Sequence, residues 1–123
     1  MINANPRSKN IVSNKSFDFA VRMVNLCKFL QKEKNEYIFS KQILRSGTSV
    51  GANIREAEHA SSKKDFAYKM SIAQREINET IYWLELLHAT DYITSDSFES
   101  LHFEAKEVIK LLAAIIISTN KNL

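Results

Sequence analysis

The residues best suited to chemistry are three Glu-x-x-His pairs, namely Glu56/His59, Glu85/His88 and Glu99/His102. In a helix this spacing places the glutamate and the histidine one turn apart on the same side, where both can bind one metal ion. Di-iron carboxylate proteins use this arrangement inside four-helix bundles, with two such pairs and a glutamate from each remaining helix. The pattern therefore raises the hypothesis of a di-metal redox centre.

The positions of the pairs along the predicted helices weigh against that centre. Glu56/His59 falls at the end of the second predicted helix, at the opposite pole from Glu85/His88. Glu99 follows a predicted core position and points about 100° away from it, toward solvent. Surface histidines beside helical glutamates explain the same pattern without a metal. We therefore predict no metal site and no cofactor, and keep a di-metal carboxylate redox protein as an alternative.

Other catalytic arrangements find no support in the sequence. Cys27 is the only cysteine and has no histidine within its own predicted helix, so a thiol nucleophile lacks a base. Gly47 and Gly51 are the only glycines, too few for a phosphate-binding loop. A lone cysteine in an apolar pattern favours a reducing compartment, and the N-terminal residues lack the apolar stretch of a signal peptide. We expect a cytoplasmic protein that is not an enzyme.

Positive charge is concentrated in the first half of the chain. Residues 1–55 hold ten Lys/Arg against three Asp/Glu, whereas residues 56–123 hold seven against eleven. This asymmetry permits an anionic partner, and it equally permits one half to pair with the other or with a neighbouring subunit. The candidate phosphate contacts are Arg22, Lys28, Lys32, Lys63 and Lys64. Three aromatic residues could stack on bases or simply pack within a helical stripe: Tyr68, Tyr82 and Trp83.

A ladder of polar residues follows one side of the second predicted helix, where apolar residues are usual. Antiparallel packing brings Arg45 near Glu79 on the third helix. We predict a partly buried Arg45–Glu79 pair, with Asn53 bonded to the backbone or to a cap. The structural network then comprises Arg45, Asn53, Glu56 and Glu79, and it fixes the register of the helices more than it stabilises them. If the pair is buried, truncating one partner costs about 3 kcal/mol.

Four segments with helical apolar periodicity position all these residues: 13–34, 37–60, 61–90 and 94–119. Ser62 and Thr94 are predicted to cap the starts of the last two. Two glycines and one proline are too few for the frequent turns of a sheet protein. Short connections make consecutive helices antiparallel neighbours. We predict an all-α fold, an antiparallel up-down-up-down four-helix bundle over residues 13–119, preceded by a flexible tail over residues 1–12.

A second apolar face on the fourth predicted helix indicates a contact surface outside the core. Its members are Phe103, Leu111, Ala114 and Ile117. Several apolar residues that share one outer face are typical of a protein–protein interface. We therefore predict a homo-oligomer that uses this face.

The central segment also resembles a known family. The residues that carry the resemblance are Gln42, Arg45, Ser49-Val50, Asn53-Ile54, Glu56, the run from Ser62 to Phe66, Ile72-Ala73, Glu79 and Leu84. They resemble the four-helix-bundle proteins encoded by intervening sequences in bacterial large-subunit ribosomal RNA genes, which are often described as ribosomal-protein-like. The chain departs from many relatives at Ala57, Arg75 and Glu76.

The resemblance implies a bacterial, cytosolic bundle that forms a ring-like homopentamer with a basic surface. It also implies a similarity in fold to the accessory variability proteins of diversity-generating retroelements, which bind a reverse transcriptase and nucleic acid. We therefore predict a non-enzymatic oligomeric bundle that binds RNA or assists a nucleic-acid-binding protein. A structural scaffold for protein–protein contact, without nucleic-acid affinity, is the main alternative. No small-molecule substrate and no membrane contact are predicted.

Overall fold

A computed structural model describes residues 10–122, which form four α-helices and no strand. Helix α1 spans Ile11–Lys34, α2 spans Phe39–Glu58, α3 spans Lys63–Ala89 and α4 spans Ser95–Lys121. The helices pack in the ring order α1–α2–α3–α4, and α4 returns to α1. This arrangement confirms the predicted four-helix bundle. None of these helices combines the length and the apolar character needed to cross a membrane.

Side-chain caps set the starts of three helices. Asn10 accepts hydrogen bonds from the backbone N–H groups of Val12 at 3.0 Å and Ser13 at 3.4 Å, so α1 begins at Ile11, two residues before the predicted start. Residues 1–9 of the predicted tail lie outside the described residues. The predicted caps of α3 and α4 are present, because Ser62 accepts from Asp65 N at 3.0 Å and Thr94 accepts from Ser97 N at 3.1 Å.

A buried glutamate caps the start of α2 from outside the helix. The Glu36 carboxylate accepts from the backbone N–H groups of Ile38 and Phe39 at 3.0 Å and of Ser40 at 2.8 Å. Its own carbonyl accepts a hydrogen bond from Ser40 Oγ at 2.9 Å. A negative charge beside three unpaired helical N–H groups also interacts favourably with the helix dipole. This cap explains why α2 begins at Phe39 rather than at the predicted Tyr37.

One apolar cluster fills the space between the four helices. Its largest fully buried members are Phe19, Met23, Leu30, Ile43, Ile54, Met70, Ile77, Leu84, Leu87 and Leu112. Polar groups enter this interior only with partners: Thr80 Oγ1 donates to Ser46 Oγ at 2.8 Å across the α2–α3 seam. Within residues 10–122, every buried side-chain nitrogen and oxygen has a hydrogen-bond partner. The core therefore fixes each helix's rotation without stranding a polar atom.

The two glycines lie where α2 approaches α1. A Cβ at Gly47 would overlap Met23 Cγ and lie 3.0 Å from Met23 Sδ and 3.1 Å from its Cβ. A Cβ at Gly51 would meet only Ser16, whose Oγ is 3.3 Å away. Met23 is fully buried, and the atoms that a Cβ at Gly47 would meet include its Cβ and Cγ and not only the far end of its side chain. The close approach therefore depends on Gly47 much more than on Gly51.

We expect substitution by alanine to change the free energy of unfolding in opposite directions at the two glycines. Replacing glycine within a helix gains about 1 kcal/mol of helix propensity. In Gly47→Ala, overlap with Met23 offsets that gain with an overpacking cost of about 1–3 kcal/mol. We expect Gly47→Ala to have a lower free energy of unfolding than Gly51→Ala, measured by urea unfolding followed by circular dichroism. Equal stability of the two variants would show that the α1–α2 distance does not depend on Gly47.

Candidate nucleic-acid interface

The predicted lysine contacts fall into two groups at opposite poles. Lys28 and Lys32 lie on the exposed side of α1 near its C-terminal end, whereas Lys63 and Lys64 begin α3. Because α1 ends at the pole opposite the start of α3, roughly 20 Å of bundle axis separates the groups at 1.5 Å per residue. All four lysines are exposed, and none forms an ion pair with a residue in the described range. A single subunit therefore presents two cationic groups rather than one patch.

Arg22, the fifth predicted contact, is already engaged within the fold. Its Nη1 donates to Glu104 Oε1 at 2.7 Å and to Ser100 Oγ at 2.9 Å, both on α4. Lys15 makes a second bridge across the same seam, to Glu107 at 3.3 Å. Arg22 thus joins α1 to α4 and is not available to a phosphate without breaking that pair. The periodicity placed it on a polar arc but did not reveal which helix that arc faces.

Most ion pairs join the basic half of the chain to the acidic half. The α1–α4 pairs follow this rule, as do the bonds of Arg45 to Glu76 and Glu79 on α3. Lys69 bonds to Glu56 at 2.9 Å, and this hydrogen bond and charge raise the pKa of Lys69 above its ordinary value. Pairing between helices therefore gives part of the charge asymmetry a role within the fold.

The polar network forms between α2 and α3 around Arg45. Arg45 Nη1 donates to Glu76 Oε1 at 3.0 Å, and Nη2 donates to Glu79 Oε2. Trp83 Nε1 donates to the same Glu79 oxygen at 3.0 Å. The Arg45 side chain is 51% exposed and that of Glu79 35%, so this pair lies at the surface of the seam. Its contribution to stability is consequently smaller than the 3 kcal/mol expected of a buried pair.

The other predicted members of the network lie apart from this cluster. Asn53 Nδ2 donates to the backbone carbonyl of Ser49 at 2.9 Å, which is the backbone bond that the sequence suggested. Glu56 bonds to Lys69 and does not contact the arginine. Sequence reasoning left Glu76 out of the network, although it lies three residues before Glu79 and therefore on the same side of α3.

The histidines of two Glu-x-x-His pairs serve packing instead of metal binding. His88 and His102 stack on Phe98 with ring centroids 4.5 Å and 5.1 Å from it, and His88 Nε2 lies 3.0 Å from Ser95 Oγ. His59 is exposed at the end of α2. Within residues 10–122, no three His, Cys, Asp or Glu side chains are grouped so that they could hold a metal ion. The di-metal alternative therefore has no site in the described part of the chain.

The predicted contact face of α4 is only partly outward. Phe103 is 65% exposed and Ile117 57%, and Ala114 is exposed beside them. Leu111 packs against the core cluster and reaches the surface only at its edge. A separate cleft of about 490 Å³ lies where α1 meets the α3–α4 connection, with Leu26 and Leu101 among its apolar lining. The engaged Arg22 contributes to its polar rim.

The sequence pattern of the described bundle matches a known family. The characteristic profile of 23S rRNA-intervening sequence proteins extends over residues 8–114. The chain belongs to this family. The predicted resemblance to proteins of intervening ribosomal RNA sequences is thereby confirmed. No similar sequence was found among curated proteins.

A solved structure supports the same family assignment. It is a protein of unknown function from the S23 ribosomal protein family of Bacteroides thetaiotaomicron, 58% identical in sequence. The match covers 86% of the present chain and 98% of the other, with a TM-score of 0.86. Neither description names a catalytic activity.

Two substitutions at Glu79 separate the stability that its charge contributes from the stability that its hydrogen bond contributes. Glu79→Gln keeps an acceptor for Trp83 and loses the charge facing Arg45, so we expect a cost of about 0.2–1 kcal/mol that shrinks as salt is added. Glu79→Ala also removes the acceptor, which costs about 1 kcal/mol more. Urea unfolding at low and high salt measures both values. A cost near 3 kcal/mol for Glu79→Gln would show that the pair behaves as a buried one.

Proposed function

We propose that this protein is a non-enzymatic, oligomeric bundle that binds RNA in the bacterial cytoplasm. The observation that carries the proposal is the state of four lysines. Lys28, Lys32, Lys63 and Lys64 are exposed and form no ion pair within the described range, whereas Lys15, Arg22, Arg45 and Lys69 are bonded to carboxylates. Exposed lysines without internal partners are suited to phosphate contact. The family's name, which refers to sequences inserted in 23S rRNA, supports RNA as the anion.

Self-association increases the affinity with which the two separated lysine groups bind RNA. A subunit with cations at both poles makes few contacts with one RNA segment. Several copies present the same groups repeatedly, so that one RNA molecule meets many of them and binds with greater avidity. The homopentamer implied by the family resemblance is one such assembly. Outward Phe103, Ala114 and Ile117 are the residues through which we propose that copies meet, with Leu111 at the edge.

A protein–protein scaffold without nucleic-acid affinity is the second candidate. The ion pairs between basic and acidic helices favour the scaffold. They give part of the charge asymmetry a role within the fold that requires no external anion. The two candidates differ in the role of the unpaired lysines. In the scaffold they are only solvated side chains.

Paired and unpaired lysines give a matched test of RNA binding. We expect Lys63→Ala with Lys64→Ala to weaken binding to a structured ribosomal RNA fragment and to lower the slope of log affinity against log salt by about 2, roughly one unit per phosphate contact. Lys28→Ala with Lys32→Ala should act likewise. Fluorescence anisotropy across a salt series measures both quantities.

Lys15→Ala with Lys69→Ala is the control, because it removes the same charge from lysines that are bonded to glutamates. We expect it to change the slope much less. An equal loss in the control would show that only the overall charge attracts RNA. Wild-type protein that binds no RNA would favour the scaffold, and binding that does not depend on salt would exclude the lysines as phosphate contacts.

Charged substitutions on the outward apolar face of α4 test whether this face joins the subunits. Phe103→Asp with Ile117→Asp places charges on two exposed apolar positions, so we expect the bundle to remain folded and its assembly to dissociate toward monomers in sedimentation velocity. Ile38→Asp is the control: that isoleucine is 71% exposed at the start of α2, where aspartate is tolerated. An unchanged sedimentation coefficient in the double variant would exclude this face as the subunit contact.

A further inference from the structure

The outer side of α3 carries a row of alternating cationic and aromatic side chains. Its members, called the α3 row, are Lys64, Tyr68, Arg75 and Tyr82. The last three are spaced by seven residues, which keeps them on one side of a helix with a drift of about 20° per interval. Tyr68 is 61% exposed and Tyr82 57%, and both cations are exposed. At 1.5 Å per residue the row extends for about 27 Å along the bundle.

The acid closest to the centre of the row is bonded toward α2 and does not pair with the cations of the row. Glu79 lies close to the row on the side of α2, where its carboxylate is bonded to Arg45 and to Trp83. Lys64 and Arg75 form no ion pair with any residue between 10 and 122. Asp65 borders the row at one end, where its carboxylate accepts from Ser61 N at 3.3 Å, and Glu85 borders it at the other, about 60° around the helix from Tyr82. The cations therefore remain available to an external anion.

The aromatic rings are not needed by the core. Most large apolar residues of α3 are buried, whereas these two tyrosines project from the opposite side. Tyr82 contacts Trp83 edge-to-face with ring centroids 5.2 Å apart, which limits the orientations of its ring and leaves more than half of its surface exposed. Two exposed aromatic rings separated by a guanidinium group form a surface for flat, apolar and negatively charged ligands.

Single-stranded nucleic acid has both properties in regular alternation. Its bases stack on aromatic side chains, and its phosphates bind the cations between them. Bases in a duplex are already stacked on one another and do not offer their faces. A symmetric contact between two copies of the row would bring Arg75, which lies near the centre of the row, close to Arg75 of the other copy, which is unfavourable.

We propose that the α3 row binds single-stranded RNA, with bases stacked on Tyr68 and Tyr82 and phosphates bound by Lys64 and Arg75. This inference rests on the proposed function, which supplies RNA as the ligand. The row includes Lys64, one of the lysines proposed there, and adds Arg75 and the two tyrosines to the binding surface. Because every base has a flat face, stacking of this kind tolerates many base sequences.

Substitution of the tyrosines tests stacking directly. The probe is a fluorescent oligouridylate about ten nucleotides long, within the range of single-stranded binding sites. We expect Tyr68→Ala and Tyr82→Ala each to weaken its binding by about fivefold to a hundredfold. Tyr68→Phe and Tyr82→Phe keep the ring and retain the affinity. Tyr37→Ala is the control and has no effect, because Tyr37 is similarly exposed (51%) but lies in the α1–α2 connection.

The outcomes separate this inference from the proposed function. Wild-type protein that binds neither the oligouridylate nor the ribosomal fragment overturns both. Binding that the Lys63/Lys64 double variant weakens, and that the tyrosine-to-alanine variants leave unchanged, keeps the proposed function and overturns the row. A changed sedimentation coefficient without loss of affinity identifies the row as a subunit contact and also overturns it. Tighter binding of oligothymidylate than of oligouridylate overturns the assignment to RNA.

Discussion

The close contact between α1 and α2 at Gly47 determines how the remaining helices are placed. Met23 occupies the space that a side chain at Gly47 would need, so α2 can approach only with this face turned toward α1. Arg45 then falls on the other side of α2, beside the glutamates of α3. Ser46 meets Thr80 in the same seam. Together with the apolar core, the missing side chain at Gly47 thus sets the rotation of α2 and influences which side chains α3 presents to solvent.

The surface chemistry follows from this rotation. Carboxylates of α3 and α4 meet cations of α1 and α2 across the seams, and those cations are occupied within the molecule. The cations that remain are those on faces without a neighbouring helix. They lie toward the ends of the bundle and on the outer sides of α3 and α4, and α3 also exposes two tyrosines there. The packing of the core therefore determines which polar side chains face solvent.

The sequence predicted the bundle well because apolar periodicity directly reflects burial. It predicted the caps at Ser62 and Thr94 because these residues have a typical capping spacing. It missed the cap by Glu36, whose longer side chain reaches three N–H groups from outside the helix. It also placed Arg22 among free cations, since the partner of an exposed arc depends on which helix lies beside it. Apolar periodicity shows on which face of its helix a residue lies. The ion-pair partner of that residue can be identified only when the helix that packs against this face is known.

The seam between α1 and α4 is the least extensive of the four, and two ion pairs bridge it. Opening the ring there breaks fewer helix–helix contacts than opening it at any other edge. Mobile ions weaken exposed charge pairs, so added salt favours local opening of this seam. Such local breathing would wet Leu26 and Leu101, which line the adjoining cleft, while the other three seams stay closed. The molecule therefore has a built-in direction of fluctuation.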